Sequence, residues 1–508
     1  MIEPKTGATF LETSPLKTIP LGALALCAAL ASAEPATPWA DAAHIAKTEA
    51  ELGLPRPLAL AATWDRELVR KSYAVLGARL AQQGLKGAEA PSLEVLRDPR
   101  RGDAAAGFGE DPFLTGELGV AAVQGLQPQV AALVGPFAGP SLPRGDLGPM
   151  PVAPRELREV FMAPFEAVIQ GAAPAAVLLA DNALDGLPST SNPALVGILK
   201  HEWRFKGLVL ATPAGVRNLE DRYHASAAPV GDEWQLAPDG AIQQTENPAR
   251  QAARAAVVLL KNDGSLPLSK NRRILHVNDA SPAALAVIKA PKPPYVLVLS
   301  GKLPIPSEAL TQLVERASAV LAGFELGTEG PAALDDALNG RFNPGGKLPF
   351  SLARNLGQLP MFYNVKPTAW RGYLFDTTKP LYPFGWGLSY TRFEIGAPVL
   401  AKPEFRVGEP LKISVAVRNT GQRAGDEVVQ LYLHHLTAST AQPVKQLVGF
   451  ARVMNLAPGE SRQLEFSVSS QQLSIWNEAM QRVQEVGDVE LMSGPNSVDL
   501  KSTLVKIQ

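Results

Sequence analysis

The hydrophobic period of this chain changes once, and that change bounds what it can fold into. Up to about Tyr390 the apolar residues come in short continuous runs between helical patterns: Ala176–Ala180 (AVLLA), Leu208–Ala211 (LVLA), Tyr295–Ser300 (YVLVLS) and Ala317–Phe324 (ASAVLAGF). Such runs, bounded by polar or turn residues, read as strands buried on both faces, the habit of a parallel sheet. From about Pro398 the pattern becomes that of half-buried strands. Leu411–Val417 (LKISVAV) alternates apolar and polar, and Val428–Leu433, Val444–Phe450, Leu464–Val468 and Asp488–Met492 follow, with turns at Asn419-Thr-Gly and Ala457-Pro-Gly-Glu. Several short strands at this spacing predict an antiparallel β-sandwich.

Helices fill the intervals of the first part. Asp65-Arg-Glu-Leu opens one with an N-cap carboxylate and an acidic first turn, running through Leu68, Tyr73, Leu76 and Leu80 to Gly84. Pro154-Arg-Glu-Leu starts another, Ala252–Lys261 a short one running into Val257–Leu260, and Ser307 to Arg316 a further one. Helix alternating with strand argues for an α/β layer or barrel. The fold class expected is therefore multidomain α/β plus all-β. A barrel-like N-terminal domain takes 35–225, a polar linker 226–250 and a smaller α/β sandwich 251–360. A connecting segment packed across domains takes 361–392, and the β-sandwich 393–508.

Length and composition narrow the class. At about 150 residues per domain, 508 residues make roughly three domains. With 46% hydrophobic and 19% charged residues the chain can bury a core without staples. A net charge of −1 points to neither nucleic acid nor anionic lipid, and one cysteine excludes a disulfide framework. The 45 prolines predict many fixed turns. Leu21–Leu30 (LGALALCAAL), followed by Ala31-Ser-Ala, is too short to span a bilayer as a mature helix. It fits either a signal-peptide core, with residues 1–34 removed and the protein periplasmic or secreted, or a buried helix of a cytoplasmic chain.

Motifs alone deliver no reaction. His44, His201, His224, His276, His434 and His435 show no metal-ligand spacing, and the His434-His435 pair at a strand end reads as solvated. There is no phosphate loop and no G-x-S-x-G elbow, and Gly107-Phe-Gly-Glu-Asp-Pro reads as a structural turn. The charged clusters Arg97–Arg101 and Glu110-Asp111-Pro112 could hold a polar site, but buried ion pairs organising a loop are the more frequent use of such clusters. No metal and no cofactor is implied.

Read together, these segments resemble glycoside hydrolase family 3, the family of many β-glucosidases and β-xylosidases. The resemblance is carried by Pro57–Asp65 (PLALAATWD), Ala90–Arg100 (APSLEVLRDPR), Gly107–Gly119 (GFGEDPFLTGELG) and Ala256–Pro267 (AVVLLKNDGSLP). It continues through Gly327-Thr-Glu-Gly, Asn343–Phe350 (NPGGKLPF), Leu381–Tyr390 (LYPFGWGLSY), Pro443–Phe450 and Leu456–Glu460. It implies a (β/α)8 barrel, an α/β sandwich and a C-terminal fibronectin type III-like domain. It also implies retaining hydrolysis, with one carboxylate attacking the anomeric carbon and a second carboxyl protonating the leaving oxygen.

At the positions the resemblance assigns to chemistry, the residues depart from the family. Trp203–Val216 (WRFKGLVLATPAGV) aligns with the stretch before the family's nucleophile, and that position falls on Thr212. A Thr hydroxyl carries no charge near neutral pH, so it cannot do a carboxylate's work. The Lys-His-Phe substrate clamp corresponds to Gly135-Pro136-Phe137, and the last Arg of the family's Asp-Pro-Arg-Trp-Gly-Arg to Asp103. Leu54–Pro57 joins directly across the place of a sugar-binding loop. His276–Lys292 is too short for the acid/base loop, leaving Glu308, Glu315 and Glu325 nearby. The weak remaining substrate-binding candidates are Asp98, Arg100 and Asp181. About 190 residues are left for the barrel, near the low end for that fold, which predicts a missing βα unit near the chain start.

Three functions stay open. The first is a degenerate family member that binds β-linked oligosaccharides or glycosides, or serves as a scaffold. The second is an active retaining β-glycosidase with carboxylates from other positions, such as Asp181, Glu220 or Asp221. The third is a non-enzymatic secreted interaction protein.

Overall fold

The computed structural model describes residues 39–100, 103–139, 152–184, 187–211, 247–268, 273–367, 376–402 and 404–508. All of them belong to one unit, Pro38–Gln508. The 1–34 segment with its cysteine lies outside the described residues, as do Thr212, Glu220 and Asp221.

The first domain is built on a parallel sheet in the order β1 (Trp39–Ala40), β2 (Gly87–Ala88), β3 (Ala131–Phe137), β4 (Ala176–Leu179), β5 (Leu208–Ala211). Between strands run α1 (Ala42–Leu52), α2 (Pro57–Ala62), α3 (Arg66–Gln82), α4 (Pro112–Leu126) and α5 (Ala163–Ala172). The runs read as parallel strands are so, and every residue of β4 is buried. In β5 only Val209 is buried, because β5 ends the described sheet. The α3 helix starts where expected: the Asp65 side chain accepts a hydrogen bond from Leu68 N at 3.0 Å. The helix begun at Pro154 is not continuous, since Leu157–Phe161 forms a π-helical turn ahead of α5. Among the described residues five strands make up this sheet.

The second domain holds β7 (Arg273–Val277), β8 (Tyr295–Gly301) and β9 (Ala319–Phe324) in parallel, with β6 (Val258–Asn262) antiparallel to β9. The order is β6-β9-β8-β7. Its longer helices are α7 (Glu308–Arg316) and α8 (Gly330–Leu338), and a short helix over Pro282–Val287 precedes them. One expectation needs correcting here: the helix placed over Ala252–Lys261 is α6 (Ala249–Ala255), and Val258–Asn262 is strand. The β-branched and leucine run Val257–Leu260 pairs with β9 instead of completing a helical turn.

The third domain is the expected sandwich. One sheet centres on β13 (Leu411–Asn419), paired with β10 (Phe393–Ile395), β11 (Val399–Leu400) and β16 (Ser461–Val468). The other has the order β12 (Glu404–Phe405), β20 (Lys501–Ile507), β19 (Gly487–Gly494), β14 (Gly425–His435), β15 (Gln446–Leu456). A two-stranded hairpin, β17 (Ile475–Trp476) and β18 (Arg482–Val483), stands apart. Along β13 burial alternates as the sequence does, with Leu411, Ile413, Val415 and Val417 inside. His435 is not solvated as expected: it is half-buried, and burial with His434 beside it pushes its imidazole down to about 4.

An aromatic cluster joins the bodies. Tyr363 stacks on Phe384 at 4.5 Å and meets Tyr432 edge-on at 5.6 Å, while Trp64 packs against Phe384 and Phe450, each at 5.3 Å. The connecting segment and the sandwich thus complete the core of the first domain. At Gly109 (φ +112°) the chain passes so close to Pro349 that any Cβ would overlap its backbone, so only glycine fits this domain contact.

Candidate functional site

In a parallel sheet all strands deliver their carboxyl ends to one edge, and the connections leaving that edge are where such folds keep ligands. Here Asp41 follows β1, Glu89 follows β2, Ala138 follows β3 and Asp181 comes just after β4. Thr212, the residue after β5, lies outside the described residues.

Glu89 is an acid of this edge whose surroundings perturb it. It accepts a hydrogen bond from Trp39 Nε1 at 3.3 Å, and its backbone N–H donates to Ala40 O at 2.9 Å. Burial raises its carboxyl above the usual range, against the Trp39 hydrogen bond, and the nearby Asp41 and Asp181 push the same way. Asp41 caps α1 by accepting from His44 N at 2.8 Å. Asn182 Nδ2 donates to Ala138 O at 2.9 Å, and Ser189 Oγ donates to Asn182 Oδ1, which ties the β3 and β4 ends together. A carboxyl raised by burial beside another carboxylate is a setting in which acids and bases of catalysis occur.

Glu89 and Asp41 escaped the sequence reading. Their strands, β1 and β2, are two residues long, and Trp39-Ala and Gly87-Ala have no period to detect. What could have found Glu89 is its place immediately before Ala90-Pro91-Ser92, at the head of a matched motif.

The positions corresponding to the clamp are part of the wall. Phe137 is fully buried and meets Phe165 at 5.0 Å and Trp203 at 5.8 Å, both edge-on. Gly135 lies against β4, where an added Cβ would stand 2.9 Å from Leu178 Cβ. Pro136 offers no donor. Strand packing therefore bars any larger side chain at 135 unless β4 shifts.

Of the other candidates among the described residues, Asp181 alone reaches this edge. Asp98 and Arg100 bind each other in a fork, Arg100 Nε to Oδ1 at 2.9 Å and Nη2 to Oδ2 at 2.6 Å, with Asp98 buried. Arg97 donates to Asn364 Oδ1 at 2.7 Å and stacks on Phe362 at 4.0 Å. Glu110 accepts from Ser351 N and Oγ and from Tyr363 N, and Asp111 from Tyr363 OH at 2.7 Å. These clusters organise loops and domain contacts, but among the described residues only Asp98–Arg100 does so as an ion pair; Arg97, Glu110 and Asp111 bond neutral partners. Asp103 pairs with Arg56 at 2.6 Å, and Arg56 lies 3.4 Å from Glu49. Glu315 pairs with Arg354 at 2.8 Å, and Glu308 accepts from Gln312 on the exposed face of α7. Glu325 sits in the left-handed region (φ 52°), its carbonyl accepting from Arg56 N. Among the described residues no group of three or more His, Cys, Asp or Glu could hold a metal ion. No helix among them is long and apolar enough to cross a membrane.

Comparison with known proteins agrees with this architecture. Residues 45–231 match the glycosyl hydrolase family 3 N-terminal domain, 275–390 the family 3 C-terminal domain and 427–497 the fibronectin type III-like domain. The chain is 27% identical to a periplasmic β-glucosidase of Salmonella typhimurium, covering 88% of this chain and 83% of that protein. It is 24% identical to a putative β-xylosidase of Formosa agariphila, covering 89% and 81%. Among solved structures, a mutant β-glucosidase from Listeria innocua in complex with laminaribiose superposes with a TM-score of 0.75 at 25% identity, over 90% of this chain and 86% of that one. A β-glucosidase of Erythrobacter marinus shares the fold with a TM-score of 0.77 at 24% identity. With both family domains and the C-terminal domain matched in order along a sheet, a second α/β layer and a sandwich, the chain belongs to glycosyl hydrolase family 3.

Proposed function

We propose that this protein keeps the family scaffold to hold carbohydrate and has lost glycoside hydrolysis. The observation that carries the proposal is Gly135-Pro136. The positions that correspond to the family's cationic clamp have no polar side chain, and Leu178 occupies the space that one would need. Thr212 at the position of the nucleophile supports the same reading, since a neutral hydroxyl cannot form the glycosyl ester that retention requires. The alignment with the Salmonella relative also fits. It runs over 643 residues, longer than this whole chain, so the relative carries segments that find no counterpart here. Loss of an acid/base loop, a sugar-binding loop and part of the barrel accounts for that difference. The relatives' names support a β-linked glucoside or xyloside as ligand, and the Leu21–Leu30 run supports a periplasmic or secreted location.

Purified protein incubated with 4-nitrophenyl β-glucoside and β-xyloside tests this. Product release is expected to stay at the level of a heat-killed control. Turnover above that level, persisting through repurification, overturns the proposal. One observation favours a second reading, hydrolysis by displaced carboxylates: Glu89, Asp41 and Asp181 share the carboxyl edge, and the Glu89 carboxyl is raised. In that case turnover survives repurification and disappears in both E89Q and D181N.

A further inference from the structure

A groove of about 1030 Å³ lies between the first domain and the sandwich, and neither Glu89, Asp41, Asp181 nor Phe137 lines it. Its walls come from α4 and α5, the connecting segment around Phe362 and Asn364, strands β15 and β16, and the β17–β18 hairpin. At the top of the range of about 300–1,000 Å³ typical of small-molecule sites, it has room for more than one ring.

The lining carries many charged side chains, and their charges cancel in pairs. Arg66 pairs with Glu117 at 2.7 Å, Lys366 with Glu159 at 2.8 Å and Arg482 with Glu166 at 2.9 Å. A surface paired in this way selects neither an anion nor a cation. Both a donor and an acceptor are nevertheless left open. Among the described residues Arg97 Nε, Arg155 Nε and Glu159 Oε1 are buried atoms without a hydrogen-bond partner, and all three residues line the groove. Arg97 is only 5% exposed. An unpaired buried polar atom is costly, so three around one groove call for a ligand that supplies both kinds of partner. A hydroxyl does both.

Aromatic rings complete the lining. Trp476 carries the Arg158 guanidinium 5.0 Å from its ring, Phe450 carries Arg66 at 3.8 Å and Phe362 carries Arg97 at 4.0 Å. Each guanidinium takes one face of its ring, and aromatic rings set among such donors suit a sugar, which has an apolar C–H face and a polar rim.

We propose that this groove binds a neutral oligosaccharide, with Trp476 as stacking platform and Arg97, Arg155 and Glu159 as hydroxyl partners. The inference rests on the carbohydrate-holding reading above and gives it a location outside the carboxyl edge.

Calorimetric titration of the full chain with cellohexaose and with xylohexaose tests it. One-to-one binding of at least one hexasaccharide is expected, with affinity at least tenfold weaker in W476A. Q170W, which crowds the groove from an exposed position on α5, is expected to weaken binding equally and keeps the test open if W476A does not fold. Binding that both groove variants retain and D181N loses overturns the groove and leaves carbohydrate binding standing at the sheet edge. No binding of either hexasaccharide overturns both.

Discussion

Glu49 is a carboxyl that folding takes out of water. It is buried on α1, and burial pushes it up to about 7; Arg56 opposes the shift, while Asp103 and Glu325 reinforce it. The folded state therefore binds the Glu49 proton more tightly than the unfolded chain. Its stabilising contribution is complete below about pH 4.5 and is lost as the pH rises toward 7. The loss is on the order of 3 kcal/mol at about 1.4 kcal/mol per unit. Melting temperatures from pH 4.5 to 7.5 should show this downward slope, and E49Q should flatten it. The sequence exchange of Arg for Asp at 103 acquires a physical meaning here. Asp103 supplies Arg56 with a partner at 2.6 Å, so the acid works in a structural network and not on a ligand.

At the scale of elements, caps and periods decide what can be read in advance. Asp65 holds the first turn of α3 by accepting from Leu68 N, so D65A should destabilise the protein by about 1 kcal/mol in urea unfolding at pH 7. That cap, the buried β4, β8 and β9, and the alternating β13 were legible because each advertises itself within a few residues. The two-residue strands β1 and β2 were not, because their place is set by partners far along the chain: Trp39 faces Gly87, which faces Ala131. The same distance hid Glu89 and its neighbours, since sequence spacing carries no record of which strand ends share an edge. The helix expected through Lys261 failed for a related reason, because tertiary pairing with β9 overrides local helix propensity at Val258–Asn262.

At the scale of the molecule, the bodies are joined by buried polar contacts as well as by aromatic ones. Lys347 and Glu427 form a buried ion pair at 2.6 Å between the segment after α8 and strand β14, and Lys347 also donates to Gly387 O. Removing one partner leaves the other charged and dry, so K347A should cost about 3–5 kcal/mol in chemical unfolding. A cycle with E427A should return a large part of that cost, whereas independent surface charges would simply add.

The aromatic cluster has a consequence for how the protein is made. Trp64 is among the early residues to leave the ribosome, yet Tyr363, Phe384 and Phe450, against which it closes directly or through Phe384, are translated hundreds of residues later. A nascent chain extended only to α8 thus presents an unfinished apolar surface to the cell throughout synthesis of the rest. The core of its first domain stays uncovered on this side until the last domain is delivered to it.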